Sequence, residues 1–236
     1  MPPSIADIHS TSVNLGQTQV NNFIDQKFVN STGENQSYLP IYSPASSSKI
    51  GEVALASVAD VQTAVAAAKT ALPAWSAMTV KSRANILFRF HALVQKHADE
   101  LADLIVLENG KNKAEAMGDV AKGNETVEYA CTLPELIPGK NLRVSSEVFC
   151  QDRRDALGVV ASIVPFNFPF MVPMWTLPIA LVCGNTVVLK PSEKVPLTMR
   201  RTAELLMECG LPPGVFNMVQ GKVDVVNALI DHPDVK

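Results

Sequence analysis

An α/β fold, with a parallel sheet wrapped by helices, is predicted by three features of the chain. The first is a set of three short apolar, β-branched runs, "GVVASIV" from Gly158, "TVVLK" from Thr186 and "VFNMV" from Val215. Runs apolar on both faces belong to strands covered on both sides. The second is what separates them: helical segments over 168–183 and 196–209, the latter ended by Gly210. Strand, helix, strand, helix, strand is the order that builds parallel pairs through crossover helices. The third is composition, since 236 residues with 47% hydrophobic and 18% charged side chains suffice for one sizeable core or two small ones.

The segments before Gly158 fill in the rest. The first 20 residues are polar and read as a terminal tail. "NNFIDQKFVNS" alternates apolar and polar residues around Asp25-Gln26, and "SPASSSKIGEVALAS" supplies turn residues and then a second alternating run. Hairpin-like strands covering a sheet edge are expected. Ser57 with Asp60 forms a capping-box pattern opening the alanine-rich "VADVQTAVAAAKTAL", which has no breaker before Pro73. A helix from about Val80 places Ile86, Leu87, Phe90, Leu93 and Val94 on one face; it, or a second helix continuing it, stops at Asn109-Gly110. "NKAEAMGDVAKGNETVEYAC" reads as a further helix weakened by Gly118 and Gly123. The organisation expected is therefore a tail over 1–20, strands and helices over 21–138, an extended arm over 139–157, and the strand–helix core over 158–236. "VDVVNALIDHPDVK" starts another helix, stopped by Pro233, and "DVK" points into a further strand, so the core is expected to be truncated.

Several function classes are disfavoured. A net charge of −3, no Lys/Arg run and 6% aromatics offer no footprint for a nucleic-acid backbone. Cys131, Cys150, Cys183 and Cys209 lie far apart without a C-x-x-C pair, so neither a zinc site nor a disulfide framework is signalled, and a reducing compartment fits. The start has no apolar signal core and no arginine, which favours the cytoplasm, or a mitochondrion if a longer form carries a presequence. The longest apolar tract, 168–183, carries three prolines and is short for a membrane span.

In open α/β sheets ligands sit beyond the carboxyl ends of the strands. Val164 to Asn167 and Lys190 to Glu193 fall at two such ends, offering one crevice an amide, an ammonium and a carboxylate. A carboxylate there can accept both ribose hydroxyls of a nucleotide and repel a 2′-phosphate, which favours NAD over NADP. The same charges also read as solvated loop residues, and no G-x-G-x-x-G fingerprint decides between the two. His91 and His97 lack the i, i+4 spacing of a metal pair, and Glu108 in "LENGK" reads as a structural hydrogen-bonding group. Arg153-Arg154 fits either a phosphate or a solvated arm.

"PFNFP", followed by "GNTVVLKPSEKVP" and "GLPPGVFNMVQG", resembles the aldehyde dehydrogenase superfamily in order and spacing through nearly all of 20–236. Phe166, where many members carry Trp, with "ENGKNKAEAMGDV" and "VEYAC", is most similar to the methylmalonate (malonate) semialdehyde dehydrogenases. The resemblance implies an aldehyde dehydrogenase-like, Rossmann-type fold and the N-terminal half of a homo-oligomer, dimer or tetramer. The 139–157 arm would serve the assembly. It further implies NAD-dependent oxidation of a small semialdehyde to an acyl-CoA thioester with loss of CO2, coenzyme A being the co-substrate. Val164 and Phe166 would line the nicotinamide region. Lys190 and Glu193 would hold the adenosine ribose, with Lys194 beside them. Asn167 would be the side-chain half of an oxyanion hole. The nucleophilic cysteine and the pyrophosphate turn lie past position 236 in the family, so the chain alone is expected to be inactive, and none of its own cysteines is the nucleophile.

Two departures from the family pattern stand out. Lys122 in "GDVAKG" occupies the place of an arginine associated with the substrate carboxylate, keeping the charge but losing the bidentate fork. Ala156 stands where a proline commonly precedes "LGV". Two other readings stay open on the sequence: a hydrolytic aldehyde dehydrogenase, and a non-catalytic nucleotide-binding or assembly module.

Overall fold

The computed structural model describes residues 18–32 and 37–236, so most of the expected tail lies outside the described residues. The first strands are β1 (Gln19–Val20), β2 (Asn22–Ile24), β3 (Lys27–Val29), β4 (Tyr38–Tyr42) and β5 (Lys49–Ala54). Four helices follow, α1 (Val58–Ala77), α2 (Val80–Lys96), α3 (Ala98–Asn109) and α4 (Lys113–Cys131), then the short α5 (Leu133–Leu136). The pair β6 (Asn141–Arg143) and β7 (Phe149–Gln151) precedes the core of β8 (Val159–Ile163), α6 (Met171–Val182), β9 (Thr186–Lys190), α7 (Leu197–Glu208), β10 (Phe216–Met218) and α8 (Val223–Ile230).

The main sheet runs β3-β2-β10-β9-β8, with β8, β9 and β10 parallel, as the three apolar runs predicted. The hairpin of β2 and β3 covers the β10 edge, turning through Asp25 and Gln26 with φ of 52° and 61°. Two amides lock it down: Asn217 Oδ1 accepts the Asp25 N–H at 3.0 Å, and Asn22 Oδ1 accepts the Gln220 N–H at 2.8 Å. At the other edge Val235 bridges Val159 in parallel, so "DVK" does reach a strand position beside β8. A smaller sheet orders β1-β5-β4, and β6 and β7 form an exposed two-stranded hairpin within 139–157.

Strand alternation divides the core. Val187 and Leu189 of β9 join a large cluster with Leu87 and Phe90 of α2, Val120 and Val127 of α4, Met174 and Leu177 of α6 and Leu205 of α7. Val188 points the other way, into a cluster with Val61, Val65 and Ala68 of α1 and Leu229 of α8. Close packing explains one glycine: a Cβ at Gly123 of α4 would stand 2.5 Å from the Phe170 ring.

Two local expectations meet different outcomes. The Ser57/Asp60 capping box is formed, and Asp60 also accepts hydrogen bonds from Ser31 and Thr32, tying α1 to the strand region before it. Pro73, read as a breaker, lies inside α1, which continues to Ala77. A proline forfeits one intrahelical hydrogen bond, but Trp75 beyond it is 1% exposed and its Nε1 donates to the Leu181 carbonyl at 3.1 Å. Burying an indole is worth about 3–5 kcal/mol against truncation, enough to hold the turn past the proline.

Candidate active site

Two loops at the carboxyl ends of β8 and β9 build the candidate site. They lie side by side because Ile163 is in register with Lys190 and the Val164 N–H continues the ladder to the Lys190 carbonyl at 3.1 Å. Each loop leads into a crossover helix whose N-terminus lacks a local cap. Phe170 occupies the N-cap of α6 and Pro196 that of α7, and neither offers a side-chain acceptor. Unpaired N–H groups at a buried helix start are costly, and both helices are served from a distance by a buried carboxylate.

For α6 the acceptor is Asp119 of α4, whose Oδ1 takes the Met171 N–H at 2.7 Å while Oδ2 meets Lys111 Nζ at 2.7 Å. Lys111 in turn lies 3.8 Å over the Phe168 ring, and Asn109 Nδ2 donates to the Phe166 carbonyl at 2.8 Å. The 164–170 loop is therefore gripped along its length while the side chains of Phe166 and Asn167 stay exposed. Among the described residues the Asn167 carboxamide has no hydrogen-bond partner, which leaves its donor free for a ligand.

For α7 the acceptor is Glu108 of α3, the structural role read for it from sequence. Its Oε2 takes the Leu197 N–H at 2.6 Å, and its Oε1 takes the Thr198 N–H at 2.9 Å and the Thr198 hydroxyl. Burial pushes the Glu108 carboxyl up to about 7, against the pull of the Thr198 and Leu197 donors. The end of β9 carries Lys190, whose Nζ lies 3.2 Å from Glu193 Oε2, and the loop before this helix carries Lys194, whose Nζ lies 4.8 Å from the Phe166 ring centre. Burial raises the Glu193 carboxyl, but its own backbone N–H, Lys190 and Lys194 outweigh it and hold Glu193 below the ordinary range. A cleft of about 660 Å³ opens here, walled by Leu39 to Tyr42 of β4 and floored by Glu108 and Asn109.

Of the residues singled out in the sequence, Phe166, Asn167, Glu193 and Lys194 line this cleft. Lys190 is 5% exposed and reaches it through Glu193. Val164, also buried, turns its side chain into the large core cluster. Lys122 stands apart on α4, its ammonium exposed and paired with Glu125 at 2.8 Å. Two contributors were not anticipated, Asp119 and the β4 wall. Asp119 had a readable sign, since neither Phe170 nor Pro196 can cap a helix and each must find its acceptor elsewhere.

The cysteines follow their surroundings. Burial pushes Cys131 and Cys209 up to about 11, which keeps both as thiols. Cys183 is partly buried and burial raises it, while Cys150 is exposed on the hairpin. No helix among the described residues is long and apolar enough to cross a membrane.

Comparison with known proteins places these features in one family. The aldehyde dehydrogenase family matches residues 28–236. The chain is 46% identical over 220 residues to malonate-semialdehyde dehydrogenase 1 of Geobacillus kaustophilus, covering 93% of this chain and 45% of that protein. It is 44% identical to the malonate-semialdehyde dehydrogenase of Lacticaseibacillus casei, covering 91% and 44%. Among solved structures, methylmalonate-semialdehyde dehydrogenase of Oceanimonas doudoroffii superposes with a TM-score of 0.90 at 42% identity, over 93% of this chain and 45% of that one. A Sinorhizobium meliloti 1021 protein assigned to the same activity and crystallised with NAD gives 0.89 at 38% identity, over 93% and 44%. The chain spans about half the length of the curated relatives it matches. The described strands, helices and strand-end loops are thus those of the aldehyde dehydrogenase fold, and the chain belongs to the aldehyde dehydrogenase family.

Proposed function

We propose that the protein to which this chain contributes is an NAD-dependent malonate or methylmalonate semialdehyde dehydrogenase that delivers its acyl group to coenzyme A with loss of CO2. The observation that carries the reading is the pairing of an unpartnered amide, Asn167, with an ionised Glu193 in one cleft. The residues present fit NAD. Glu193 offers a carboxylate to the ribose hydroxyls, Lys190 holds that carboxylate, and the cleft falls in the size range of cofactor sites. When bound, NAD accepts the hydride from the substrate.

In this reading Phe166 forms one wall of the nicotinamide region and Val164 the packing beneath it. Lys194, over the Phe166 ring, steadies that wall. Asn167 donates to the aldehyde oxygen as it becomes negative under attack by a thiolate lying outside these 236 residues. A preorganised donor stabilises charge without reorganising, and the grip of Asp119, Lys111 and Asn109 on its loop supplies that preorganisation. Lys122, which among the described residues stands apart from the cleft and pairs with Glu125, is the point-charge partner that the family resemblance implies for the substrate carboxylate. The whole protein is a homo-oligomer in this reading, and the chain alone produces no NADH.

The test is turnover of malonate semialdehyde with NAD and coenzyme A by the whole protein. Asn167→Ala should lower kcat by about a hundredfold or more while NAD affinity barely changes. Near-normal turnover in that variant would reduce Asn167 to a packing residue, and a free acid product in place of the thioester would favour hydrolysis.

A further inference from the structure

At the opposite end of the main sheet, beside the amino ends of β8 and β9, lies a second cleft of about 470 Å³. Its lining includes Arg83 of α2, Arg153, Arg154 and Asp155 of the arm, Gly158 and Cys183. Arg83 is 4% exposed. Its Nε donates to the Val182 carbonyl at 2.8 Å, and its Nη1 donates to the carbonyls of Ser76 at 3.2 Å, Trp75 at 3.4 Å and Met78. Gly184 makes room for it, since a Cβ there would stand 3.2 Å from Nη2. Nη2 itself has no hydrogen-bond partner among the described residues.

No carboxylate pairs with Arg83 among the described residues, so a buried cation is stabilised by carbonyl dipoles alone. Burial pulls its pKa below the ordinary value, and Cys183 offsets this only in part. Of the two arm arginines, Arg153 is 2.7 Å from Asp155, whereas Arg154 has no ion pair among the described residues. The lining of the cleft thus holds three arginines and one carboxylate. A buried charge calls for a partner of opposite sign, and guanidinium forks match the geometry of phosphate oxygens.

We propose that this cleft binds a phosphate dianion, free or as a monoester, at a site separate from the strand-end cleft. Arg83 forms its fixed base and Arg153 and Arg154 close over it from the arm. Occupancy would neutralise the Arg83 charge and tie the arm to the sheet.

Calorimetric titration of the chain with inorganic phosphate tests this, and a second arm with glycerol 3-phosphate tells whether the free ion or the ester is preferred. Arg83 variants risk misfolding, so Arg154→Ala is the diagnostic substitution. It should weaken phosphate about tenfold, the loss expected for one charge-assisted contact. Lys222 lines the strand-end cleft, and Lys222→Ala should leave phosphate binding unchanged. No saturable binding, binding that survives both Arg153→Ala and Arg154→Ala, or binding lost instead with Lys222→Ala would overturn the proposal.

Discussion

Replacing Asp119 by asparagine isolates the contact that orders the Asn167 loop. The Asp119 side chain is 0% exposed and that of Lys111 15%, so the substitution keeps shape while leaving a largely buried ammonium without its countercharge. Breaking a fully buried pair from one side costs about 3–5 kcal/mol. Lys111 keeps some water, and an asparagine oxygen can still accept the Met171 N–H, so about 2–3 kcal/mol is the working figure. Lys122→Gln is the matched control, because its pair with Glu125 has both side chains at 60% exposure or more and is worth at most about 0.5 kcal/mol. Urea unfolding of wild type, Asp119→Asn, Lys111→Met and the double variant gives the answer. The double variant should recover over half the loss, since it removes the orphaned cation along with the missing anion. A cost for Asp119→Asn no greater than for Lys122→Gln would show that the buried pair does not hold the loop.

Two further predictions concern Glu108 and Lys122. Burial raises the folded-state Glu108 pKa from 4.5 to about 7, so the folded chain holds the proton more tightly than the unfolded chain. Its contribution is fully present below 4.5, is lost as pH rises through about 7, and amounts to about 3 kcal/mol. Glu108→Gln should flatten that part of the urea-midpoint profile between pH 5 and 8.5, and an unchanged slope would show that Glu108 does not titrate there. Lys122→Arg in the whole protein should raise kcat/KM for malonate semialdehyde more than for propanal, because a guanidinium binds a carboxylate through two parallel hydrogen bonds. Equal changes for both substrates would remove Lys122 from the substrate pocket.

What was legible in the sequence was whatever rested on local pattern. Three β-branched runs predicted the parallel strands, Asp25-Gln26 the edge hairpin, and Ser57 with Asp60 the cap of α1. The positions of Asn167 and Glu193 followed from the rule that strand ends carry ligand groups, and they do share a cleft. What stayed hidden depends on contacts distant in sequence. Pro73 looks like a stop until Trp75 is seen anchored on Leu181. Asp119 looks like one charge in a weak helix until the bare N-terminus of α6, 52 residues on, is placed against it. The β4 wall reads only as a strand near the chain start, because no local signal says which crevice it will border.

In the proposed function Glu193, held by Lys190, faces the ribose of NAD. The decisive measurement is titration of wild type and Glu193→Gln with NAD and with NADP. Weaker NAD binding is expected in the variant, with a narrower gap between the two cofactors, because repulsion of the 2′-phosphate disappears while shape is retained. An unchanged ratio of NAD to NADP affinity would contradict it.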